Sequence, residues 1–502
     1  MKTTKFYAGY WARTLITLAN ALGYPLSKLP KNSQVDELEK SKTDCYVGDI
    51  TFDGVHPPTL DIPVGFLLNE IFFEDSEGVR SSCGEFESAD AIYGFAQHGT
   101  WYCLREVEMK NFVSSAPGLD SQVLRGVSLT AANKPISNHP TVDRISISLD
   151  GLGYWFQKNP ITISYNRHDN QGTSKVATTD YSIKYNSSGV GIITLFKDDE
   201  ITIEIRQKVN KTGHPTLSSG MSVKVEHYLV VELNNPSDFD ETLEKWIYPL
   251  RNLMTLFLGR FTSINSISAH EFHQDCTFSY YTAYVDPESP ISRSEAEQIP
   301  FPYSRLGSHT QEILGRWFKL DQDTKNVSTI ITSLTNNWRM PVDLEFVACA
   351  SAFEALSKVN QDEKCFDEET FNREFSQMTA SISNEKFKNW IQNLVRNRKS
   401  AGSLARSLFT QLKPFSESLI PNKRLFLQDH RVCRNTYVHR SETGNSQLLR
   451  EVELYFHTQA VWLLSYAAIL NLIGIQPEKI NNAIQEAGYK VGVREKIKNM
   501  YE

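Results

Sequence analysis

The chain has 502 residues, of which 40% are hydrophobic and 11% aromatic, and its formal net charge is −7. This length predicts two or three domains, and the apolar content excludes an intrinsically disordered chain. The acidic balance argues against a generic nucleic-acid coat. Seven scattered cysteines without a CxxC pair indicate a reducing, cytoplasmic setting.

The N-terminal half begins with an apolar run that we interpret as a short helix from Phe6 to Leu22. Arg13 interrupts this run and no small-residue cleavage site follows, which argues against a targeting signal. From Tyr46 to Asn235, short segments such as Arg144–Leu149 and Glu200–Ile205 alternate apolar and polar residues between Gly- and Asn-rich turns. The pattern predicts sandwich-like antiparallel sheets or a curved antiparallel sheet.

The middle of the chain changes from strands to helices. Helical periodicity at 236–258 is followed by a strand-like stretch at 264–285 and by a Pro- and Ser-rich segment. We therefore predict an α+β multidomain protein with a β-rich region at 1–285, a linker at 286–305 and an all-α bundle at 306–502.

Several helices of the C-terminal region can be located from their periodicity and termini. Pro341 suits a first helical position, and Gly474 suits a C-terminal cap with Pro477 beyond it. The apolar stretch Val461–Ile475 is too short to span a bilayer, so we expect a buried core helix and no membrane contact. Further helices are predicted at 383–398, 402–413, 421–439 and 449–473.

A basic segment near the C-terminus contrasts with the acidic chain. Eleven lysines and arginines stand against three acids from Val395 to Arg450, which gives +8 here and −15 elsewhere. Such a local field can steer a polyanion, although a solvated helical face would have the same composition. Within the segment lies Arg434-Asn435-Thr436-Tyr437-Val438-His439. Arginine offers a charged fork to phosphate oxygens, and histidine exchanges protons near neutral pH.

The spacing of this hexapeptide has a geometric consequence. On an ideal helix Asn435 and His439 lie about 40° apart, whereas Arg434 lies about 140° from His439. Convergence of Arg434 and His439 therefore requires a kinked helix end, a partner subunit, or both. Tyr437 reads mainly as a packing residue. Further donors for a phosphodiester backbone lie nearby at Lys423, Arg424, His430, Arg431 and Arg440.

Other motifs argue against different chemistries. His270, His273 and Cys276 have metal-like spacing, but strand alternation places His273 on the opposite face, so we expect no metal there. The chain has no GxxxxGK[ST], HExxH or GxSxG motif and no paired-carboxylate cluster. We expect neither a metal nor another cofactor.

The hexapeptide resembles the Arg-x4–6-His signature of HEPN domains, in which a polar residue such as Asn435 often follows the arginine. The upstream segment Ala352-Phe353-Glu354-Ala355-Leu356 resembles the acidic-centred ALEAL segment of these four-helix bundles. A β-rich half joined to such a bundle is similar to the ApeA family of bacterial anti-phage proteins. One departure is Arg440, where many relatives have glycine.

The resemblance implies metal-independent RNA cleavage at a composite site where two HEPN bundles pair as a homodimer. It implies that His439 acts as general base or acid, that Arg434 neutralises charge on the phosphorane, and that Asn435 orients phosphate or imidazole. Glu354 and Tyr437 would support these residues. The N-terminal half would be a sensing or regulatory region, with a phage-derived trigger, in a cytoplasmic bacterial protein.

Two other functions fit the same residues. The chain could be a HEPN protein that binds RNA or a nucleotide without cleaving it, or a structural dimeric partner in which the Arg/His pair is incidental.

Overall fold

The computed structural model describes residues 5–30, 45–53, 56–64, 70–74, 80–86, 88–96, 98–114, 120–157, 161–168, 178–185, 191–212, 222–282, 297–335, 340–359, 364–438 and 448–502. The chain forms two compact units. The first comprises Met1–Arg251 and Thr262–Ser292, and the second comprises Asn252–Phe261 and Arg293–Glu502.

The first unit is predominantly antiparallel β-structure. Its strands are β1 Lys5–Ala12, β2 Cys45–Phe52, β3 Thr59–Ile62, β4 Glu70–Glu74, β5 Arg80–Phe86, β6 Ala89–Ala96, β7 Thr100–Ser114, β8 Asp120–Ala132, β9 Thr141–Leu149, β10 Ile161–His168, β11 Thr178–Tyr185, β12 Ile193–Lys197, β13 Ile201–Thr212, β14 Ser222–Asp238, β15 Ile264–Glu271 and β16 Cys276–Thr282. Its helices are α1 Leu15–Ala21, α2 Leu152–Phe156 and α3 Phe239–Thr242, which continues through a π-helical turn, Leu243–Ile247, into α4 Tyr248–Leu258.

Twelve of the described strands form one sheet in the order β12-β13-β14-β9-β15-β16-β8-β3-β2-β1-β6-β7. Because β7 also pairs with β8, strands β8, β3, β2, β1, β6 and β7 close into a barrel. The other strands extend from it as an open sheet, and β4–β5 and β10–β11 are separate hairpins. The β-rich prediction is confirmed, in the form of a curved sheet that closes at one end.

The predicted helix from Phe6 to Leu22 is wrong in its first half, since β1 occupies Lys5–Ala12. This strand pairs on both sides, with β2 and β6, and its Trp11 is buried in the barrel core, where Nε1 donates to the Gly48 carbonyl at 3.0 Å. A Cβ on Gly94 would lie 2.5 Å from the Trp11 ring, so the close packing requires glycine there. Sheet pairing therefore outweighs the local apolar run.

The second unit is helical. Its helices, besides the end of α4, are α5 Tyr303–Leu306, α6 Thr310–Leu334, α7 Val342–Leu356, α8 Glu368–Ala380, α9 Glu385–Leu394, α10 Ala401–Gln411, α11 Phe415–Leu419, α12 Lys423–Tyr437, α13 Glu451–Leu472, α14 Pro477–Glu486 and α15 Val491–Met500.

Helix α13 is the centre of this unit and is buried from His457 to Leu470. Trp462 Nε1 donates to the Ile331 carbonyl at 3.3 Å, and the Tyr466 hydroxyl donates to the Leu256 carbonyl at 2.7 Å. The predicted core helix is thus confirmed. Within the described residues, no helix is long and apolar enough to cross a membrane.

The ends of the helices refine the predictions. Gly474 has φ +100° directly after α13, as expected of a terminating glycine, but Pro477 begins α14 instead of merely ending α13. Helix α12 spans Lys423–Tyr437, shorter than the predicted 421–439. Residues 286–296 of the predicted linker lie outside the described residues, and Phe301, near its end, is buried, with its N–H donating to the Phe257 carbonyl at 3.2 Å.

Candidate active site

Helix α12 carries most of the predicted site residues and has two distinct faces. Phe426, His430 and Cys433 recur at helical spacing and are buried. Arg424 and Arg431, about 20° apart around the axis, are exposed on another face. The helix begins where the Asn422 side chain accepts a hydrogen bond from the Leu425 N–H at 3.1 Å. Its register therefore fixes which residues enter the core and which remain accessible.

Arg434 is held by Glu354, the central acid of α7. Its Nε and Nη2 donate to Glu354 Oε2 at 2.9 and 2.6 Å, and Lys358 Nζ lies 3.4 Å from Oε1. Partial burial acts to raise the pKa of Glu354, but the hydrogen bonds and charges of Arg434 and Lys358 outweigh it, so the pKa is lowered. The structure thus joins two predicted site residues that are 80 positions apart.

The position of Arg434 at the end of α12 matters for the predicted geometry. The Val438 N–H donates to the Arg434 carbonyl at 2.9 Å, and the helix ends at Tyr437. His439 and Arg440 lie outside the described residues. The predicted angle between Arg434 and His439 therefore lies outside the described residues.

The two other predicted site residues of the hexapeptide, Asn435 and Tyr437, are partly buried near this end. Asn435 lies one position beyond Arg434 in the last turn of α12. Tyr437 packs edge-on against Phe346 of α7, with ring centroids 5.9 Å apart, and burial raises the pKa of its phenol. This contact fits the expected packing role of Tyr437.

His430 was expected among the RNA donors, but its side chain is only 7% exposed. It stacks on Phe426 and meets Phe346 and Phe353 edge-on. Burial, followed by the charge of Arg434, lowers the pKa of His430 to about 4. This imidazole is neutral near pH 7 and belongs to the core face of α12, and its contact with RNA stays a prediction.

A second buried histidine adjoins the first. His457 of α13 lies with its ring centroid 5.6 Å from that of His430, and its Nδ1 shares a hydrogen bond with the hydroxyl of Tyr501. Burial, with His430 second, lowers the pKa of His457 well below its usual value. The Tyr501 carbonyl also accepts a hydrogen bond from the Asn422 N–H at 3.0 Å. The end of α15 thus fixes the beginning of α12.

Helices α7, α10 and α12 enclose a groove of about 680 Å³, which we call the basic groove. Glu354 and Arg434 line it together with Arg424 and Arg431, two of the predicted RNA contacts. Arg406 of α10 also lines the groove and was not singled out in the sequence, although it lies in the basic segment. Five cationic side chains and one carboxylate therefore line this surface: Arg406, Lys423, Arg424, Arg431 and Arg434, with Glu354.

Lys423, another predicted RNA contact, lines the groove but also binds α10. Its Nζ donates to the Arg406 carbonyl at 3.1 Å and to Thr410 Oγ1 at 3.0 Å, and it lies 5.0 Å from the centre of the Phe409 ring. Burial, with the charges of Lys413 and Arg406, lowers its pKa. Its ammonium group therefore joins two walls of the groove.

His270, one of the residues with metal-like spacing in the sequence, has two carboxylate neighbours in the structure. His270 of β15 has Nδ1 2.7 Å from Asp143 Oδ1 and Nε2 3.1 Å from Asp275 Oδ1. Among the described residues no group of three or more His, Cys, Asp or Glu side chains could hold a metal ion. The ring nitrogens of His270 thus pair with the carboxylates of Asp143 and Asp275.

Comparison with protein families agrees with this architecture. Residues 347–479, which include Glu354 and all of α12, match the Apea-like HEPN domain, and HEPN domains are generally nucleases. Residues 39–317 match ApeA N-terminal domain 1, which covers more than half of the chain. The chain therefore belongs to the ApeA family of HEPN anti-phage proteins, as its sequence predicts. No curated protein and no solved structure matches the chain.

Proposed function

We propose that this protein is a metal-independent endoribonuclease that cleaves RNA by attack of a 2′-hydroxyl on the adjacent phosphodiester. The observation that carries the proposal is Arg434, held by two hydrogen bonds to Glu354 at the wall of a groove rich in cations. A guanidinium fixed in advance stabilises negative charge without having to reorganise during the reaction. An anionic polymer is the substrate that such a surface attracts.

The reaction assigns one role to each residue of the motif. The 2′-oxygen forms a bond to phosphorus while its proton passes to a base, and the 5′-oxygen leaves as it receives a proton. His439 performs these proton transfers, Arg434 neutralises the charge of the phosphorane, and Asn435 orients phosphate or imidazole. The products carry a 2′,3′-cyclic phosphate on one fragment and a 5′-hydroxyl on the other, and hydrolysis of the cyclic phosphate by water gives a 3′-phosphate.

The active form in this proposal is a homodimer. Two HEPN bundles pair around a two-fold axis, so each motif contributes to a composite site. The β-rich half restrains the site until it recognises a phage-derived trigger. A comparison of RNA cleavage by the purified full chain with and without lysate of phage-infected cells tests this regulation. An identical rate in both would contradict it.

The central experiment measures cleavage of labelled RNA by the wild type, Arg434→Ala and His439→Ala in the presence of EDTA. We expect cleavage by the wild type alone, with product ends that require a 3′-phosphatase before ligation. Lys479→Ala, a change of an exposed cation on α14, is the matched control and should remain active. Equal cleavage by both motif variants and the wild type would refute the proposal. RNA binding without products would indicate a non-cleaving protein, and no RNA affinity would indicate a structural partner.

A further inference from the structure

The basic groove is large enough for more than a phosphate contact. Its volume of about 680 Å³ lies within the range of about 300–1,000 Å³ that small-molecule sites occupy. Arg434 lines the same groove, so an occupant would lie beside the arginine of the motif. The groove can therefore hold the part of a substrate next to the reacting phosphate.

Apolar groups line part of the groove. Phe353 and Ala405 are buried, at 1% and 7% exposure, and Leu427 is partly exposed. At Gly402 an added Cβ would find only Ser400 Oγ, at 4.0 Å, which leaves this wall open. Small side chains on α10 thus leave room for a flat, weakly polar body such as a nucleobase.

Polar groups surround this apolar wall. Gln428 is exposed in the groove and carries both donors and acceptors, as contact with the edge of a base requires. Arg406, Arg424 and Arg431 are exposed, and no ion pair engages them in the part of the chain that the structure describes. The carboxylate in the groove, Glu354, is occupied by Arg434. Planar guanidinium groups without acidic partners suit phosphate oxygens.

We infer that the basic groove binds one unstacked nucleotide of the RNA beside the scissile phosphate. Its base lies against Ala405 and Leu427, and its phosphates lie on Arg406 and Arg431. A base inside a duplex is stacked and cannot enter such a groove, so the substrate is single-stranded or looped RNA. The position of the nucleotide next to a phosphate that is cleaved rests on the proposed function. Nucleotide binding itself does not require cleavage.

Calorimetric titration of the full chain with adenosine, guanosine, cytidine and uridine 3′-monophosphates tests the groove directly. We expect binding of at least one nucleotide, and at least tenfold weaker binding by Gly402→Leu. That substitution fills the open wall and replaces glycine inside a helix, so folding should be retained. Arg406→Ala should also weaken binding, and Lys479→Ala should not. Inorganic phosphate that binds as tightly as every nucleotide would overturn the inference, because the base would then contribute nothing.

Experiments with RNA test whether the groove binds a nucleotide within an RNA strand or only a free nucleotide. With a single-stranded oligonucleotide, Arg406→Ala should reduce the slope of log affinity against log salt by about 0.7, the value for one lost phosphate contact. Gly402→Leu should raise the KM for cleaved RNA or change the base preferred at the cut. Nucleotide binding with no effect of either variant on RNA would overturn the assignment to RNA. If the wild type binds nucleotides but cleaves no RNA, the proposed function fails while the nucleotide site stands.

Discussion

The contact between Glu354 and Arg434 makes a quantitative prediction for Glu354→Gln. Both hydrogen bonds from Arg434 end on one carboxylate oxygen, at 2.9 and 2.6 Å. Hydrogen bonds to charged groups contribute about 1.5–3 kcal/mol, and a glutamine oxygen, which still accepts from the cationic Arg434, keeps a bond near the lower end of that range. The side chains are 22% and 28% exposed, which favours the lower end of the difference. We therefore expect a loss of about 0.5–1 kcal/mol of transition-state stabilisation, a fall in kcat/KM of about 2- to 5-fold.

The assay is the initial rate of cleavage of a labelled RNA under kcat/KM conditions. Arg434→Ala should lose more, about 10²–10³-fold, because it removes the charged group itself. The double variant should be no slower than Arg434→Ala, since Glu354 acts through that arginine. Glu486→Gln, which removes a carboxylate 2.5 Å from Arg305 outside the groove, is the control and should be unaffected. A wild-type rate for Glu354→Gln, or additive losses in the double variant, would refute positioning by Glu354.

The pH dependence gives a second test of the same contact. The pKa of Glu354 is lowered in the folded protein, so the carboxylate stabilises the fold above its unfolded pKa. This contribution is lost as pH falls through the folded pKa, where the wild-type carboxyl becomes neutral like glutamine. The difference in free energy of unfolding between wild type and Glu354→Gln should therefore be largest near neutral pH and vanish in acid. A difference that does not change with pH would contradict the charge-based explanation.

Three further predictions concern stability, each measured by the free energy of chemical unfolding. The pKa of His430 is lowered to about 4, so the unfolded chain takes up its proton first. The protein should lose up to about 3 kcal/mol between pH 6.5 and 4, and less in His430→Leu; an equal loss would contradict this. Tyr501→Phe removes the hydroxyl that binds His457 and should cost about 1 kcal/mol; no change would show the bond to be dispensable. Gly474→Ala should cost more than about 1 kcal/mol, because Gly474 has φ +100° and an added Cβ would lie 2.7 Å from an arginine side chain. Gly492→Ala should not destabilise the protein, because an added Cβ there would meet open space. Equal effects of the two substitutions would refute this reasoning.

Several helices of the C-terminal unit could be predicted because their signals are local. Periodicity and termini located the predicted 402–413 and 449–473 near α10 and α13, which occupy Ala401–Gln411 and Glu451–Leu472. Strand β1 was missed because the barrel pairs it on both sides with segments distant in sequence. An apolar run of that length fits a helix or a strand, and long-range pairing decides between them.

The site, too, could be predicted where its signals are local and not where it depends on contacts between distant residues. Arg434 and Glu354 could be singled out from sequence motifs, but their hydrogen bonds join residues 80 positions apart on two helices. The groove likewise depends on residues from different helices, since Arg406 lines it from α10 and Arg431 lines it from α12. A basic composition cannot show which cations share a surface. Helical spacing could have revealed the burial of one predicted residue, because His430 shares the spacing of Phe426 and Cys433 and so belongs to the core face.

This placement of His430 determines the charge next to the groove. A protonated imidazole there would be repelled by the guanidinium of Arg434 more strongly than it is attracted by the carboxylate of Glu354, and the rings of Phe346, Phe353 and Phe426 surround it. With its pKa lowered to about 4, His430 is neutral at physiological pH and adds no positive charge beside Arg434, whose guanidinium donates to Glu354. Acid would charge His430, and strong acid would also neutralise Glu354, whose pKa is lowered. Both changes weaken the support of α12 and its arginine, so RNA cleavage should be lost in acid even before His439 is considered.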